Sequence, residues 1–418
     1  MHKICKKFTK MTEFLDLNDD CLEHIFNFCD VETTVSLSKV CKRLNALVTQ
    51  IQFPKQTTFS CTIRSYECEE KARNIIEAIG KYIVTLKLCQ TSEIFLFYQF
   101  LGRVIGDRIR KLSIVTPHIS DTSLQAIEPV LRRLEELQLR IANTDLSDDD
   151  LALLTRCPNL QRLHIQWDTS FLQNTGTWNR LEELSLGDNE YIANDTFSEF
   201  MQNNQQLRKL KIGAFNCDVE LKDIATYLAN LEQLVLFQNY SDLSADSILE
   251  LQRLTHLKRL ILRNVEANHF GGVVNNVTKL NFLSELQIQA EFNQCSDDEI
   301  FEPKQKNIVK IALEMPQLQV FGISFCKLKE ETIVEFIRFA DNLRKIHIHD
   351  CDFMLTPDNI DAIINARKTI RNRVDPLIIF VDFIDEGITD LLRKPDISAH
   401  LKALPCRRCE IIPVGFFE

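Results

Sequence analysis

The sequence predicts an α/β solenoid of about 11–12 repeats, each near 26 residues long, preceded by a small all-α unit. Two observations lead to this prediction. An apolar phrase with the spacing of LEELQL recurs along most of the chain, and it begins well after the first residues. The stretch LDLNDDCLEHIFNFCD near the start instead spaces its apolar residues as a helix does, and nothing later in the chain has its pattern.

Composition excludes several classes of protein. The chain has 418 residues, more than one simple core usually organises, and its net charge of -10 argues against a nucleic-acid binder. It has no apolar run long enough to cross a membrane, and the basic start at residues 1–13 lacks the apolar region of a secretion signal, so we expect a flexible tail there. We therefore expect a protein of the cytoplasm, the nucleus or both, whose fourteen cysteines are reduced.

The repeated phrase predicts the strands, because alternating leucines bury one face of a short strand. The central apolar residues of the predicted strands are Leu86, Leu112, Leu137, Leu163, Leu184, Leu210, Leu234, Leu260, Leu286, Phe321 and Ile346. Their spacing stays near 26, except for a short interval after Leu163 and a long one after Leu286. A further strand is predicted within Pro376–Phe383.

A helix follows most predicted strands. Ser147 is placed to cap one helix and is followed by three aspartates, which suit the positive end of a helix dipole. A second helix-start pattern lies later in the chain, where Thr356 is placed to be the N-cap and Pro357 to be the first helical residue. One strand and one helix per repeat stack into a curved solenoid with strands on its concave side.

These repeats resemble the leucine-rich repeat family over roughly residues 75–390. The resemblance implies a horseshoe-shaped solenoid, which we place at residues 75–394, followed by a C-terminal tail or cap at 395–418. The tail contains the only CxxC, Cys406–Cys409; no second pair stands nearby, so we predict free thiols rather than zinc ligands.

Residues 14–53 form a different unit, and residues 54–74 are predicted to be a linker. Leu22, Ile25 and Phe26 share one face of a predicted helix, a second short helix is expected at Val31–Ser38, and a third apolar stripe begins at Val40. Three short helices bury little surface, so the unit gains from packing on a partner or on the solenoid end.

This unit resembles an F-box. The residues that carry the resemblance are Leu17–Asn18, Ile25–Phe26 and Val40–Leu44, whose spacing holds across the whole unit. Asn18 stands where the family has proline, and Leu44 stands where it has tryptophan; Cys29 also departs from the usual leucine. An asparagine at the helix start offers a side-chain cap in place of the ring of proline.

An F-box followed by leucine-rich repeats implies the substrate receptor of a Skp–cullin–F-box ubiquitin ligase. The F-box would dock on the Skp adaptor and thereby on the cullin ligase core, the repeats would hold a protein substrate, and catalysis would occur on other subunits. The residues expected to bind the adaptor are Leu15, Leu17, Asn18, Leu22, Ile25, Phe26, Val40, Cys41 and Leu44.

Other functions remain open at this stage. The helical unit would serve as a capping domain in a leucine-rich-repeat scaffold or inhibitor without a ligase role. A repeat enzyme is a weaker alternative, because the chain has no P-loop, GxGxxG, GxSxG or HExxH motif. We therefore predict no catalytic residues, no cofactor, no nucleic-acid partner and no membrane partner.

The sequence predicts one candidate substrate-binding patch on the concave face of the solenoid. Val235, Phe237 and Ile261 fall side by side on adjacent strands, where we expect an exposed apolar patch with a basic rim. The rim and the neighbouring positions are Lys209, Lys211, Arg259, Arg263 and Tyr240. Such a patch suits an acidic or phosphorylated segment. Coverage of the patch by the C-terminal tail, whose end is apolar, or by a loop is the competing interpretation.

Two histidines on one predicted strand, His347 and His349, resemble a metal pair, with Cys351 nearby. Metal sites need further ligands. We therefore predict two exposed histidines and no metal site.

Overall fold

The structure is a computed structural model, and it describes residues 14–91, 95–144, 153–154, 157–166, 177–187, 194–213, 217–237, 247–290, 301–369, 375–382 and 391–405. These residues fall into two units, Met1–Leu160 and Gln161–Glu418. In the part of the chain so described, no helix is both long enough and apolar enough to span a bilayer.

The helices are short, and most of them lie between two strands of the sheet. Their bounds are α1 Asp19–Phe26, α2 Val31–Ser38, α3 Lys42–Leu47, α4 Tyr66–Ile79, α5 Phe95–Val104, α6 Asp121–Ala126, α7 Glu128–Leu131, α8 Asn194–Asn203, α9 Cys217–Tyr227, α10 Phe270–Val277, α11 Gln305–Glu314, α12 Glu330–Phe339, α13 Pro357–Lys368 and α14 Pro395–Ser398. Among the residues that the structure describes, short 3₁₀ helices and one π turn complete several of the connections.

The strands are parallel and follow sequence order within each unit. The first unit holds β1 Thr58–Ile63, β2 Thr85–Gln90, β3 Lys111–Ile119 and β4 Glu136–Thr144. The second unit holds β5 Arg162–Gln166, β6 Glu183–Leu186, β7 Lys209–Ile212, β8 Gln233–Phe237, β9 Arg259–Val265, β10 Glu285–Ala290, β11 Val320–Ser324, β12 Lys345–His349, β13 Leu377–Val381 and β14 Leu401–Pro405. Parallel neighbours in sequence order with intervening helices form an α/β solenoid, as predicted.

The core of each unit lies between the sheet and its helices. All eleven predicted central strand residues are at most 3% exposed. They face one another in register, as in the row Leu234, Leu260 and Leu286. Aromatic residues fill wider gaps: the rings of Phe321 in β11 and Phe336 in α12 stack with centroids 4.5 Å apart. The opposite side of the sheet, called the open face below, carries the alternate residues of each strand.

The helix start predicted at Thr356 is confirmed. The Thr356 hydroxyl accepts a hydrogen bond from the Asn359 main-chain N–H, and the Asn359 side chain accepts one from the Thr356 N–H in return. Pro357 is the first residue of α13. The helix predicted after Ser147 lies largely outside the described residues, as do residues 167–176 of the short interval and residues 291–300 of the long one.

One of the predicted boundaries is wrong. The predicted linker at 54–74 contains β1 and the first half of α4, so it forms the first strand and helix of the solenoid. It escapes the leucine pattern because TFSCTI carries Phe59 and Ile63 as its buried residues. The segment 395–418, predicted to be a tail or cap, begins with α14 and β14, and β14 pairs with the confirmed strand β13. Residues 1–13 and 406–418 lie outside the described residues.

The F-box-like unit has a closed apolar core of its own. Leu22 and Phe26 of α1, Val35 of α2, Leu44 of α3 and Val48 just after it are all buried. Both α1 and α2 contact the turn that begins at Val48, and α2 also contacts α3. In the same unit of the chain, α2 contacts α4 of the first repeat. Packing on the solenoid end, anticipated from the small size of the helical unit, is therefore present.

Arg43 fixes the chain segment that leads into α1. Its guanidinium donates to the carbonyl oxygens of Leu15 and Leu17, each at 2.7 Å, and pairs with Asp19 at 2.6 Å. These bonds tie the chain before α1 to the start of α3. The arginine within Val40–Leu44 is thus explained by geometry inside the unit.

Asn18 stabilises the start of α1, where F-boxes usually have a proline. Its side-chain oxygen accepts a hydrogen bond from the Cys21 main-chain N–H at 2.8 Å, as an N-cap does. We expect Asn18→Ala to destabilise α1 by about 1 kcal/mol, because one main-chain donor loses its partner. Hydrogen exchange of the α1 amides should accelerate roughly fivefold. Asn18→Asp keeps an acceptor at this position and should leave their exchange rates nearly unchanged.

Candidate protein-binding surfaces

The residues predicted to bind an adaptor separate into two groups. Leu22, Phe26 and Leu44 are buried in the core of the helical unit, so these three side chains are not exposed in the free chain, and their contact with an adaptor stays a prediction. The reason is geometric, because one helix face cannot both close a three-helix core and remain exposed. Leu17 and Cys41 are half-buried.

The exposed group forms the candidate adaptor surface, which consists of Leu15, Ile25, Phe28 and Val40, with Asn18 at its helix cap. Val40 is 63% exposed and Phe28 is 80% exposed. Large apolar side chains rarely stand free in such numbers on so small a unit unless a partner covers them. The helix spacing identified Ile25, and the family resemblance identified Leu15 and Val40.

Phe28 was missed because it lies two residues beyond the end of α1. Its ring packs edge-on against His24, with the ring centroids 5.2 Å apart. The sequence could have predicted Phe28 from its spacing, because a residue three positions after Ile25 lies near the same side of the helix.

The predicted apolar patch on the open face is not exposed. Val235 is 4% exposed and Ile261 is 1% exposed. Phe237 is half-buried between two cations: the Lys211 ammonium lies 5.0 Å from its ring centroid, and the Arg263 guanidinium carbon lies 4.1 Å from it. Long cationic side chains lie along neighbouring apolar surface and keep their charged ends outward, which explains the difference.

The surface in this region is therefore basic rather than apolar. Lys209 pairs with Glu183 at 3.4 Å, and Arg259 pairs with Glu285 at 2.8 Å. The basic surface is defined here by Lys209 and Lys211 of β7 and Arg259 and Arg263 of β9, which lie on either side of β8. Tyr240 lies outside the described residues, and so does the apolar end of the tail that was the alternative cover.

The two histidines of β12 are buried, so the prediction that they are exposed is wrong. The His347 ring stacks on Phe380 of β13 with centroids 4.4 Å apart. Burial, with Lys345 and Arg259 nearby, lowers the pKa of His347 to about 4, so the ring is neutral at pH 7. His349 contacts Asp350 and Asp382 and is not paired with His347.

A three-helix unit with an exposed apolar surface, joined to a parallel α/β solenoid, defines an F-box protein with leucine-rich repeats. Comparison with protein families agrees: the F-box domain matches residues 14–56. The family described as "FBD-associated F-box protein At5g56370, LRR repeats" matches residues 128–348, more than half of the chain, and the chain belongs to this family. A search of curated proteins found no match.

F-box domains generally bind Skp-type adaptors, and roles in ubiquitin ligases and protein interaction are typical of F-box proteins with leucine-rich repeats. Such proteins are typically non-catalytic adaptors.

Proposed function

We propose that this protein is the substrate-recognition subunit of a Skp–cullin–F-box ubiquitin ligase, acting in the cytoplasm, the nucleus or both. The F-box docks on the Skp adaptor, the adaptor links it to the cullin core, and the repeats hold a protein substrate. The chain itself catalyses no step. The observation that carries the proposal is the exposed set Leu15, Ile25, Phe28 and Val40 on an F-box whose own core is already complete.

Capture of the full-length chain by purified Skp adaptor tests the docking step. A chain lacking residues 1–53 should lose the adaptor and the cullin while it keeps other partners. If the full-length chain forms no complex with the adaptor, the scaffold or inhibitor interpretation takes its place.

We further propose that the basic surface contacts an acidic segment of the substrate. Its guanidinium and ammonium groups lie next to the Phe237 ring, which supplies an apolar contact beside the charges. Guanidinium groups bind carboxylates and phosphates in paired geometry. Charge complementarity of this kind steers association and selects among partners.

Reversing two charges of the basic surface tests this assignment. The double variant Lys211→Glu, Arg263→Glu should weaken substrate capture by about tenfold or more, because it replaces attraction with repulsion. Proximity-labelling mass spectrometry under proteasome inhibition measures the loss. Recovery of the Skp adaptor should not change.

The matched control reverses two exposed charges on helices, Lys222→Glu in α9 and Arg338→Glu in α12. It changes the net charge equally but leaves the open face intact. Equal effects of the two double variants, or no effect of either, would remove the basic surface from the proposal and favour coverage by the C-terminal tail.

A further inference from the structure

His349 lies between two carboxylates near the end of the open face. Its Nδ1 lies 2.5 Å from Asp382 Oδ1, and its Nε2 lies 2.8 Å from Asp350 Oδ2. The second oxygen of Asp382 accepts a hydrogen bond from the Asp350 main-chain N–H. Asp382 thus fixes both the histidine ring and the backbone that carries the other carboxylate. His349 is buried, Asp382 is half-buried and Asp350 is exposed.

A neutral histidine ring has too few N–H groups to donate a hydrogen bond to both carboxylates. A neutral imidazole carries one N–H, so it can donate to only one of the two carboxylates. If Nδ1–H donates to Asp382, the lone pair of Nε2 faces a lone pair of Asp350 at 2.8 Å. That contact is repulsive unless a second proton or a metal ion lies there.

The surrounding charges also favour a cation. Among the described residues, no lysine or arginine forms an ion pair with Asp350 or Asp382, and His349 is the ion-pair partner of both. Two carboxylates that share one imidazole carry excess negative charge. A divalent ion would neutralise them more completely than a single proton does.

We propose that His349 Nε2 and the Asp350 carboxylate bind a divalent transition-metal ion, and that Asp382 orients the histidine ring. One potential donor atom from each of the three residues lies within 4.8 Å of the others. The hydrogen bond from Nδ1–H to Asp382 is the arrangement by which a carboxylate orients a histidine whose Nε2 binds a metal. Nε2 and the Asp350 carboxylate are then the nearest pair of ligands.

The donor atoms define the class of ion. One imidazole nitrogen with carboxylate oxygens suits Mn²⁺, Zn²⁺ or Fe²⁺ rather than a soft ion. The nearby sulfur of Cys351 is engaged elsewhere: it lies 3.2 Å from the His349 carbonyl oxygen and 3.7 Å from the Cys326 sulfur. The remaining coordination positions are left to water or to a group from a partner.

Mn²⁺ is the sharpest probe, because the free thiols of the chain bind it far more weakly than they bind Zn²⁺. The full-length chain, treated with chelator and kept reduced, is titrated with Mn²⁺, and the free ion is measured by electron paramagnetic resonance. We expect one equivalent to bind and to raise the melting temperature. Absence of saturable binding to the wild-type chain would overturn the proposal.

Three variants locate the ion. Asp350→Asn and His349→Gln remove ligands, and Asp382→Asn keeps the shape but weakens the orientation of the ring; each should lower the affinity about 10–100-fold. Asparagine is tolerated at position 350, where φ is 45°. The control Asp352→Asn removes an exposed carboxylate two residues away and should bind as the wild type does. Equal losses in all four, or in none, would place the ion elsewhere and refute the site.

Metal binding at this cluster does not depend on the adaptor role. Adaptor capture by the Asp350→Asn chain should equal that of the wild type, since the F-box lies at the other end of the sequence. Failure of the metal titration therefore leaves the ligase proposal standing, and failure of adaptor capture leaves the metal site standing.

Discussion

The Val40→Glu chain is expected to lose capture of the Skp adaptor by about a hundredfold or more while its folding is unchanged. Val40 is 63% exposed, so glutamate at this position removes little packing in the free protein. In the complex, the same carboxylate would be buried against an apolar partner surface without a counter-ion. Desolvation of an unpaired charge is costly, and the cost falls on the complex alone.

Isothermal titration of the full-length chain with purified adaptor measures this loss, and circular dichroism of the repeats checks folding. Gln50→Glu is the matched control, since it places a glutamate at another exposed position of the same unit. Wild-type affinity in the Val40→Glu chain would show that this surface is not the docking surface, even if the adaptor binds.

Phe26 makes an instructive contrast with Val40. The sequence alone makes Phe26→Asp an obvious way to block docking, because Ile25–Phe26 carries the family resemblance. The Phe26 side chain is buried in the core, so a charge there would unfold the F-box before any partner is met. Loss of capture in that variant would not distinguish a docking defect from a folding defect.

The repeats were predictable because each strand obeys a local rule. Alternation along a strand decides which residues face the helices, so the row Leu234, Leu260 and Leu286 follows from spacing alone. The N-caps at Asn18 and Thr356 are equally local, because the capping bonds span three residues. Local rules failed at β1, where phenylalanine and isoleucine replace the leucines.

The candidate sites were less predictable because they depend on neighbours far apart in sequence. Burial of Ile261 depends on its register partners in the adjacent strands, Val235 and Gln287, which are far from it in sequence. Asp382 reaches His349 across 33 positions, from the end of one strand to the end of the next. Only the register of parallel strands brings such pairs together, and side-chain length then decides which surface stays exposed.

Replacing Phe336 with alanine is expected to cost the second unit about 3–5 kcal/mol, the usual range for a buried phenylalanine. Phe336 is fully buried and stacks on Phe321, so the change removes both apolar burial and a ring contact. Repeats of a solenoid contact mainly their neighbours, so the loss should remain local. Hydrogen exchange should accelerate most in β11 and α12 and least in α1–α3.

Phe339→Ala is the control, because Phe339 lies on the same helix but is 39% exposed. Its loss should be well under half that of Phe336→Ala, since an exposed ring leaves no cavity. If the two variants unfold alike, the stacked pair is not what holds this repeat together.

If Phe336→Ala weakens the repeats without lowering adaptor capture, recognition and docking are energetically separate. That separation is what a receptor needs if its solenoid is to vary with its substrates while the F-box keeps one partner.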